Sequence, residues 1–362
     1  MGAKRVAVLS GGNGGHMMAA DMKLKGHEVR LYEMPRFRQN VEMLFDTKTI
    51  TVTGVISEKV TLDMVTDDID KAIDGAQYIL LTTPAFAHPD YAKLLAGKVK
   101  KDQIIVVFPG ALATLLLRKE FGDKNCPVIA EANNLPFSVR IIAPCKLHLS
   151  GFNKINISFF PASAGAELVE EMRADLFNFE KVYQDILECS LSLVNPALHS
   201  GPCVINVSNI ERPDVNFYIY EHGFTPSAAK LDIALDNERK AVGKKLGYNI
   251  TSMEDFGNLK EGYTWQELYQ AVHGSIYLTP ICGPNDVFNR YFTEDAPYGL
   301  VPWSSIGRQI GVEMPVTDAI INIYNIIHGT DWREAGNTAE KLGLAGKNAE
   351  QISDYVKNAQ KE

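Results

Sequence analysis

Short apolar runs alternate with helical stretches through the first half of the chain. Six of these runs predict β-strands, and most are apolar at consecutive positions, as is typical of strands buried on both faces of a parallel sheet. They cover residues 5–9, 28–32, 78–82, 104–108, 128–131 and 155–160. Because helical stretches separate the strands, this half predicts an α/β domain with a mostly parallel, doubly wound sheet.

Longer helical segments replace the β-rich runs beyond about residue 180. They cover residues 182–208, 226–246 and 315–328, and apolar residues recur at helical spacing in the second of them. A length of 362 residues suits two domains that each bury a core. We therefore expect an α/β domain over residues 1–185 and a mainly α-helical domain over residues 186–362.

Composition narrows the classes of partner. The formal net charge is −8 and the basic residues are scattered, which argues against nucleic acid. No apolar stretch approaches the roughly 20 residues that a membrane span needs, so we expect no membrane partner. The five cysteines form no CxxC pair, which predicts reduced thiols and no metal site. These features, with an N-terminal apolar run too short for a signal peptide, favour a cytoplasmic protein that binds small molecules.

A glycine-rich turn follows the first predicted strand and precedes a helical stretch. It reads Ser10-Gly11-Gly12-Asn13-Gly14-Gly15-His16. The strand, turn and helix resemble the GxGxxG fingerprint of Rossmann domains, with serine in place of the first glycine. Gly12 would let the backbone approach a pyrophosphate, and Gly15 would let the helix pack against the strand. A structural turn is the alternative interpretation of the glycines alone.

An acidic residue ends the second predicted strand. Glu33 lies 18 residues beyond Gly15, the position at which a carboxylate binds the adenosine ribose and repels a 2′-phosphate. This favours NAD over NADP, although Arg36 and Arg38 offer the alternative of pairing with a 2′-phosphate. Pro84 follows the third strand at the same expected edge of the sheet, so we include it among the cofactor-binding candidates.

Two segments of the helical half carry candidate chemistry. Asn195 and His199 are four residues apart and so share a helix face, and Pro196 predicts a helix start or kink there. Arg290 and Asp295 belong to a second segment, in which arginine can bind a carboxylate through two bonds and aspartate can orient a histidine. A core histidine and a surface ion pair are the alternative interpretations.

These motifs together resemble the opine dehydrogenase family over nearly the whole chain. The matching segments are 12–16, 195–199, 223–227, 290–295, 299–302 and 311–315. The resemblance implies NADH-dependent condensation of an amino acid with a 2-oxo acid, commonly pyruvate. It assigns His199 as acid/base, Asp295 as its orienting partner and Arg290 as the carboxylate clamp, and Asn195 would help to position substrate or nicotinamide.

Other functions remain open on the sequence. One is reduction of a simple 2-oxo or 3-oxo acid, as in ketopantoate or glycerol-3-phosphate enzymes, but their catalytic lysine has no counterpart in residues 182–208. Another is NAD sensing without catalysis. We also expect a homodimer. Candidate positions for amino-acid specificity are Glu131, Asn133, Asn134, Tyr218, Glu221 and His222.

Overall fold

The computed structural model of the chain divides into two compact units. It describes residues 2–212, 214, 216–254, 259–276 and 278–358. One unit comprises Met1–Ser190 with Tyr355–Glu362, and the other comprises Leu191–Asp354. Among the described residues, no helix combines the length and the apolar character that crossing a membrane requires.

Eleven strands lie in the described part of the first unit. They are β1 Arg5–Leu9, β2 Glu28–Tyr32, β3 Thr49–Gly54, β4 Glu58–Thr61, β5 Met64–Thr66, β6 Tyr78–Leu81, β7 Ile104–Val107, β8 Val128–Ala132, β9 Phe137–Ala143, β10 Lys146–Phe152 and β11 Ile157–Phe160. Seven form one sheet in the order β11-β8-β7-β6-β1-β2-β5, in which only β11 runs antiparallel to its neighbour. This sheet and the helical second unit confirm the predicted fold class.

The strand order reverses between β1 and β6. These two strands pair in parallel from Val6 with Tyr78 to Leu9 with Leu81, and the side chains of both pairs are buried. Ligands of open α/β sheets bind where the order reverses, at the carboxyl ends of the strands. The turn after Leu9 and the loop after Leu81 therefore meet at the expected edge of the sheet.

A second sheet of the first unit escaped the sequence analysis. It has the order β4-β3-β10-β9, and its inward residues alternate with polar ones. Ile50 and Val52 of β3 and Leu147 and Leu149 of β10 are fully buried. Alternation over four to seven residues is a weaker signal than a continuous apolar run, because it also occurs in loops.

Helices flank the larger sheet and make up most of the second unit. They are α1 Asn13–Leu24, α2 Glu42–Thr47, α3 Ile69–Ile73, α4 His88–Leu95, α5 Ala113–Phe121, α6 Ala164–Asp175, α7 Ile186–Leu191, α8 Asn195–Ile205, α9 Val207–Ile210, α10 Pro226–Lys245, α11 Trp265–Val272, α12 Arg290–Thr293, α13 Val301–Gln309, α14 Pro315–His328, α15 Trp332–Ala335 and α16 Ala349–Lys357. In the part of the chain that the structure describes, three 3₁₀ turns cover Pro35–Val41, Ala85–Ala87 and Asp123–Asn125, and two π-helical turns cover Ile219–Gly223 and Ala296–Leu300.

The C-terminal end of the chain differs from the expected domain of residues 186–362. Tyr355 belongs to the first unit, where its carbonyl accepts a hydrogen bond from the buried guanidinium of Arg118 and its ring lies 3.9 Å from that group. The carbonyl of Lys357 accepts a bond of 2.8 Å from the N–H of Ala162. The last residues that the structure describes therefore pack in the first unit and not in the helical one.

Candidate active site

Close backbone approach defines the glycine turn after β1. A Cβ atom on Gly15 would lie 1.7 Å from the carbonyl oxygen of Ser10, so only glycine fits at this position. A Cβ on Gly12 would have only the Ser10 hydroxyl nearby, at 3.7 Å. The turn therefore packs α1 tightly through Gly15 and leaves the backbone at Gly12 open to a phosphate at the helix N-terminus.

The other residues of the turn make contacts within the first unit. Ser10 has a φ of 100°, a backbone conformation that favours the glycine of the usual fingerprint. The side-chain carbonyl of Asn13 accepts a bond of 2.8 Å from the N–H of Ile141 in β9. A Cβ on Gly14 would lie 3.1 Å from Leu135. His16 is buried and its Nδ1 lies 3.2 Å from the Gly12 carbonyl, and burial lowers its pKa.

Glu33 lies against the turn at the carboxyl end of β2. One of its oxygens accepts the N–H of Gly11 and the other accepts the N–H of Met34, each at 2.8 Å. Burial raises the pKa of this carboxyl, and the two hydrogen bonds oppose that rise. Because each carboxylate oxygen accepts more than one bond, Glu33 can still bind ribose hydroxyls.

The arginines that could bind a 2′-phosphate have acidic partners. Arg36 pairs with Asp90, and Arg38 pairs with Asp67 at 2.6 Å. Pro84 follows β6 and precedes the 3₁₀ turn Ala85–Ala87. It lies beyond Thr82, whose N–H donates to the carbonyl of Leu9, so Pro84 is at the same edge of the sheet as the glycine turn.

In the second unit, a histidine and an aspartate that are 96 residues apart in sequence meet. Nδ1 of His199 lies 2.8 Å from Oδ2 of Asp295, and only 11% and 13% of the two side chains are exposed. Helix α8 begins at Asn195 with Pro196 in its first turn, which places His199 one turn into the helix. Asp295 immediately precedes the π-helical turn Ala296–Leu300, a feature that often marks functional sites.

Of the four predicted catalytic residues, Arg290 and Asn195 are exposed. Arg290 begins α12, its side chain is 73% exposed, and its Nε lies 3.2 Å from Glu294. The next residue, Tyr291, packs edge to face on His199 with ring centroids 4.5 Å apart. The segment that carries Arg290 therefore contacts the histidine. Asn195 is exposed at the helix start, one turn before His199.

Comparison with known proteins decides the family. The model of the NAD/NADP octopine/nopaline dehydrogenase alpha-helical domain matches residues 182–328, and that of the NAD-dependent glycerol-3-phosphate dehydrogenase N-terminus matches residues 5–114. An opine dehydrogenase of Arthrobacter sp. (strain 1C) is 31% identical over 359 residues, which are 98% of this chain and 99% of that protein. The chain belongs to the opine dehydrogenase family.

Other opine dehydrogenases match along most of their length. The octopine dehydrogenase of Mizuhopecten yessoensis is 26% identical over 360 residues, 88% of each chain. A solved octopine dehydrogenase with NADH and L-arginine has 22% identity and a TM-score of 0.79, with 99% of both chains covered. The fold is thus shared, and membership of the opine dehydrogenases makes this chain an NAD-dependent oxidoreductase that acts on secondary amines.

Sequence reasoning overlooked one contact of the opine dehydrogenase site and misjudged another residue. The hydroxyl of Tyr220 lies 2.9 Å from Nε2 of His199. This contact was overlooked because no local sequence pattern distinguishes Tyr220 from nearby Tyr218. Glu131, a candidate for specificity, is instead a fully buried carboxyl that accepts the N–H of Thr114 at 2.6 Å and the hydroxyl of Ser190 at 2.9 Å. Glu131 therefore serves the interior of the first unit.

The geometry around Glu33 predicts a preference between cofactors. We expect the dissociation constant of NADPH to exceed that of NADH by about 10-fold or more, because the Glu33 carboxylate repels a 2′-phosphate while Arg36 and Arg38 are paired. Calorimetric titration with both dinucleotides measures the ratio. The Glu33→Gln variant keeps a hydrogen-bonding side chain without the charge, and it should lower the ratio of the NADPH dissociation constant to that of NADH. A preference for NADPH in the wild type would contradict the role of Glu33.

Proposed function

We propose that this enzyme condenses the α-amine of an amino acid with a 2-oxo acid, pyruvate in the first instance, and reduces the resulting imine with NADH. The observation that carries the proposal is the hydrogen-bonded pair of His199 and Asp295, with Arg290 five residues before the aspartate. A solved octopine dehydrogenase with NADH and pyruvate has 21% identity and a TM-score of 0.72, and its ligands support this choice of substrates.

The first unit fits a dinucleotide. The open backbone at Gly12 and the N-terminus of α1 would hold the pyrophosphate, and Glu33 would bind the adenosine ribose. Pro84 and the loop around it lie at the same edge of the sheet. When bound, NADH supplies the hydride that reduces the imine carbon.

His199 would move the protons of the condensation. An amino acid reaches the site as an ammonium ion, and His199 takes one proton from it to free the nitrogen lone pair. The amine then attacks the carbonyl carbon of the 2-oxo acid. One proton of the attacking nitrogen passes to the former carbonyl oxygen to form a hydroxyl. His199 then returns its proton to that hydroxyl, which leaves as water and yields the protonated imine. Asp295 stabilises the imidazolium between these two transfers.

The alternatives receive less support. A simple reductase of 2-oxo or 3-oxo acids would share the fold, as a ketopantoate reductase from Ralstonia eutropha does with a TM-score of 0.62 at 14% identity. That likeness concerns the fold alone, whereas the 31% identity with an opine dehydrogenase extends over the whole chain. A protein that only senses NAD has no need for an acid/base pair, and the contact of His199 with Asp295 argues against it.

The proposed function is tested by an enzyme assay with two readouts. NADH oxidation is followed with pyruvate and each of a panel of amino acids, and the product is identified by mass spectrometry as the secondary-amine dicarboxylate. We expect oxidation only when amine and oxo acid are both present. Oxidation with the oxo acid alone, giving a hydroxy acid, would establish the simple reductase instead.

Arg290 yields a prediction about the oxo acid. Arg290→Lys should raise the KM for the oxo acid by about 10-fold or more, because lysine cannot form the two parallel bonds of a guanidinium to a carboxylate. The dissociation constant of NADH should stay unchanged. Arg308→Lys is the matched control, since Arg308 is 54% exposed in the same unit and pairs with Asp318. Equal weakening of oxo acid and NADH by Arg290→Lys would argue for a structural role.

A further inference from the structure

Both ring nitrogens of His199 are engaged by side chains. Nδ1 meets Asp295 at 2.8 Å, and Nε2 meets the Tyr220 hydroxyl at 2.9 Å. His199 is 9% exposed and Tyr220 is 5% exposed, so the second bond is buried. The two ring centroids are 6.2 Å apart and the rings are tilted by 53°, which leaves the hydroxyl as the point of contact.

The segment that carries Tyr220 is fixed to the helix that carries His199. Tyr220 lies in the π-helical turn Ile219–Gly223. The buried amide of Asn206, which follows α8, donates to the carbonyl of Gly223 at 3.2 Å and to that of Pro202 at 2.8 Å. The phenol is therefore positioned by a bond between two backbone segments of one unit.

The protonation states of Tyr220 and Asp295 decide which group donates in each hydrogen bond to His199. Burial raises the pKa of Tyr220 well above its ordinary value, and the nearby Asp295 carboxylate adds to the effect, so the phenol keeps its proton. An ionised Asp295 can only accept a hydrogen bond. The neutral ring then carries its proton on Nδ1 toward Asp295 and accepts the Tyr220 hydroxyl at Nε2.

We propose that Tyr220 is a positioning residue for the acid/base group: its hydroxyl donates to Nε2 of neutral His199 and so holds the ring in the tautomer whose bare nitrogen can take a proton. This inference rests on the proposed function for its kinetic consequence. Nε2 is the nitrogen that gains and loses the proton, so the substrate ammonium replaces the Tyr220 hydroxyl as the donor to Nε2 when the proton is transferred.

The kinetic test is Tyr220→Phe, which removes the hydroxyl and keeps the ring. We expect kcat to fall about 10-fold, the scale of one lost hydrogen bond, with an unchanged dissociation constant for NADH. Tyr324→Phe is the matched control, because Tyr324 is fully buried in the same unit and its hydroxyl donates to the carbonyl of Ser200 at 3.3 Å. Its kcat should stay within about 2-fold of the wild type. A kcat of Tyr220→Phe equal to that of the control would overturn the positioning role.

A spectroscopic test separates this inference from the proposed function. Nitrogen-15 NMR of protein labelled at histidine, with His199 assigned from a His199→Gln variant, reports which ring nitrogen carries the proton and whether the bare one is hydrogen bonded. We expect a bare, hydrogen-bonded Nε2 in the wild type and in Tyr324→Phe, and an unbonded Nε2 in Tyr220→Phe. A wild-type proton on Nε2 in the neutral ring, or identical spectra for all three proteins, would overturn the inference. The expected spectra in a protein inactive with every amine would reject only the proposed function.

Discussion

Replacing His199 by glutamine is expected to lower kcat for NADH-dependent condensation by about 100-fold or more, the usual scale of general acid–base catalysis. Glutamine keeps a polar side chain in the space of the imidazole but cannot gain and lose a proton near neutral pH. The dissociation constant of NADH should not change, because the glycine turn belongs to the other unit. Steady-state kinetics and calorimetry give the two quantities.

Asp295→Asn should also lower kcat, by about 10-fold or more, since the amide cannot stabilise an imidazolium. The double variant provides the sharper result. If Asp295 acts through His199, the double variant should be no slower than His199→Gln alone, because residues that act as a unit are not additive.

His148→Gln serves as a control for the loss of a histidine. His148 is exposed on β10 in the other unit, and its removal should leave kcat within about 2-fold of the wild type. Retention of wild-type kcat in His199→Gln would remove this histidine from the mechanism. A double variant whose loss equals the product of the two single losses would show that Asp295 acts independently of His199.

Six of the seven strands of the larger sheet were predictable, because most of them are apolar at consecutive positions. A run such as residues 104–107, which lies between helical stretches, predicts a strand buried on both faces. The strands β3, β4, β9 and β10 were missed because each buries one face only, and β5 of the larger sheet was missed because it has three residues. The predicted helix over residues 182–208 is three helices in the structure, and Pro196 lies in the first turn of the second. Proline thus marked a boundary that the helical pattern alone concealed.

Residue types and their spacing predicted part of the candidate site. Asn195 and His199 share a helix face by their spacing, whereas the approach of Asp295 follows from tertiary packing that pattern does not encode. The resemblance to opine dehydrogenases supplied that pairing. Tyr220 was missed since a tyrosine among apolar residues is ordinary in a core, and only its distance from Nε2 distinguishes it.

Two buried carboxyls one turn apart on α10 yield a prediction about stability. Asp236 is 1% exposed and is paired with the fully buried Arg239, whose guanidinium also donates to the carbonyl of Thr251 at 2.8 Å. Asp232 is fully buried and accepts the N–H of Gly201 at 3.0 Å. Within the described residues, its other oxygen has no hydrogen-bond partner. Burial raises the pKa of Asp232 well above its usual range, and the neighbouring Asp236 adds to the rise.

The sign of the pH effect follows from this shift. Between the unfolded pKa of Asp232, about 3.9, and its higher folded pKa, the folded protein holds one proton more than the unfolded chain. The contribution of Asp232 to stability is therefore complete below about pH 4 and is lost as the pH rises toward the folded pKa. Asp232→Asn carries no such proton. Relative to the wild type, its free energy of unfolding should rise by up to about 1.4 kcal/mol per pH unit within this window.

Asp236→Asn is the contrasting variant. It leaves the guanidinium of Arg239 buried without a carboxylate, so we expect a loss of about 3–5 kcal/mol across the whole pH range. All three tryptophans of the chain, Trp265, Trp303 and Trp332, lie in the helical unit, and urea unfolding followed by tryptophan fluorescence therefore reports on that unit. The measurement compares both variants with the wild type at about pH 5 and about pH 8. A constant difference between Asp232→Asn and the wild type at the two pH values would mean that Asp232 is ionised in the folded protein, and that its bond to Gly201 is made by a carboxylate.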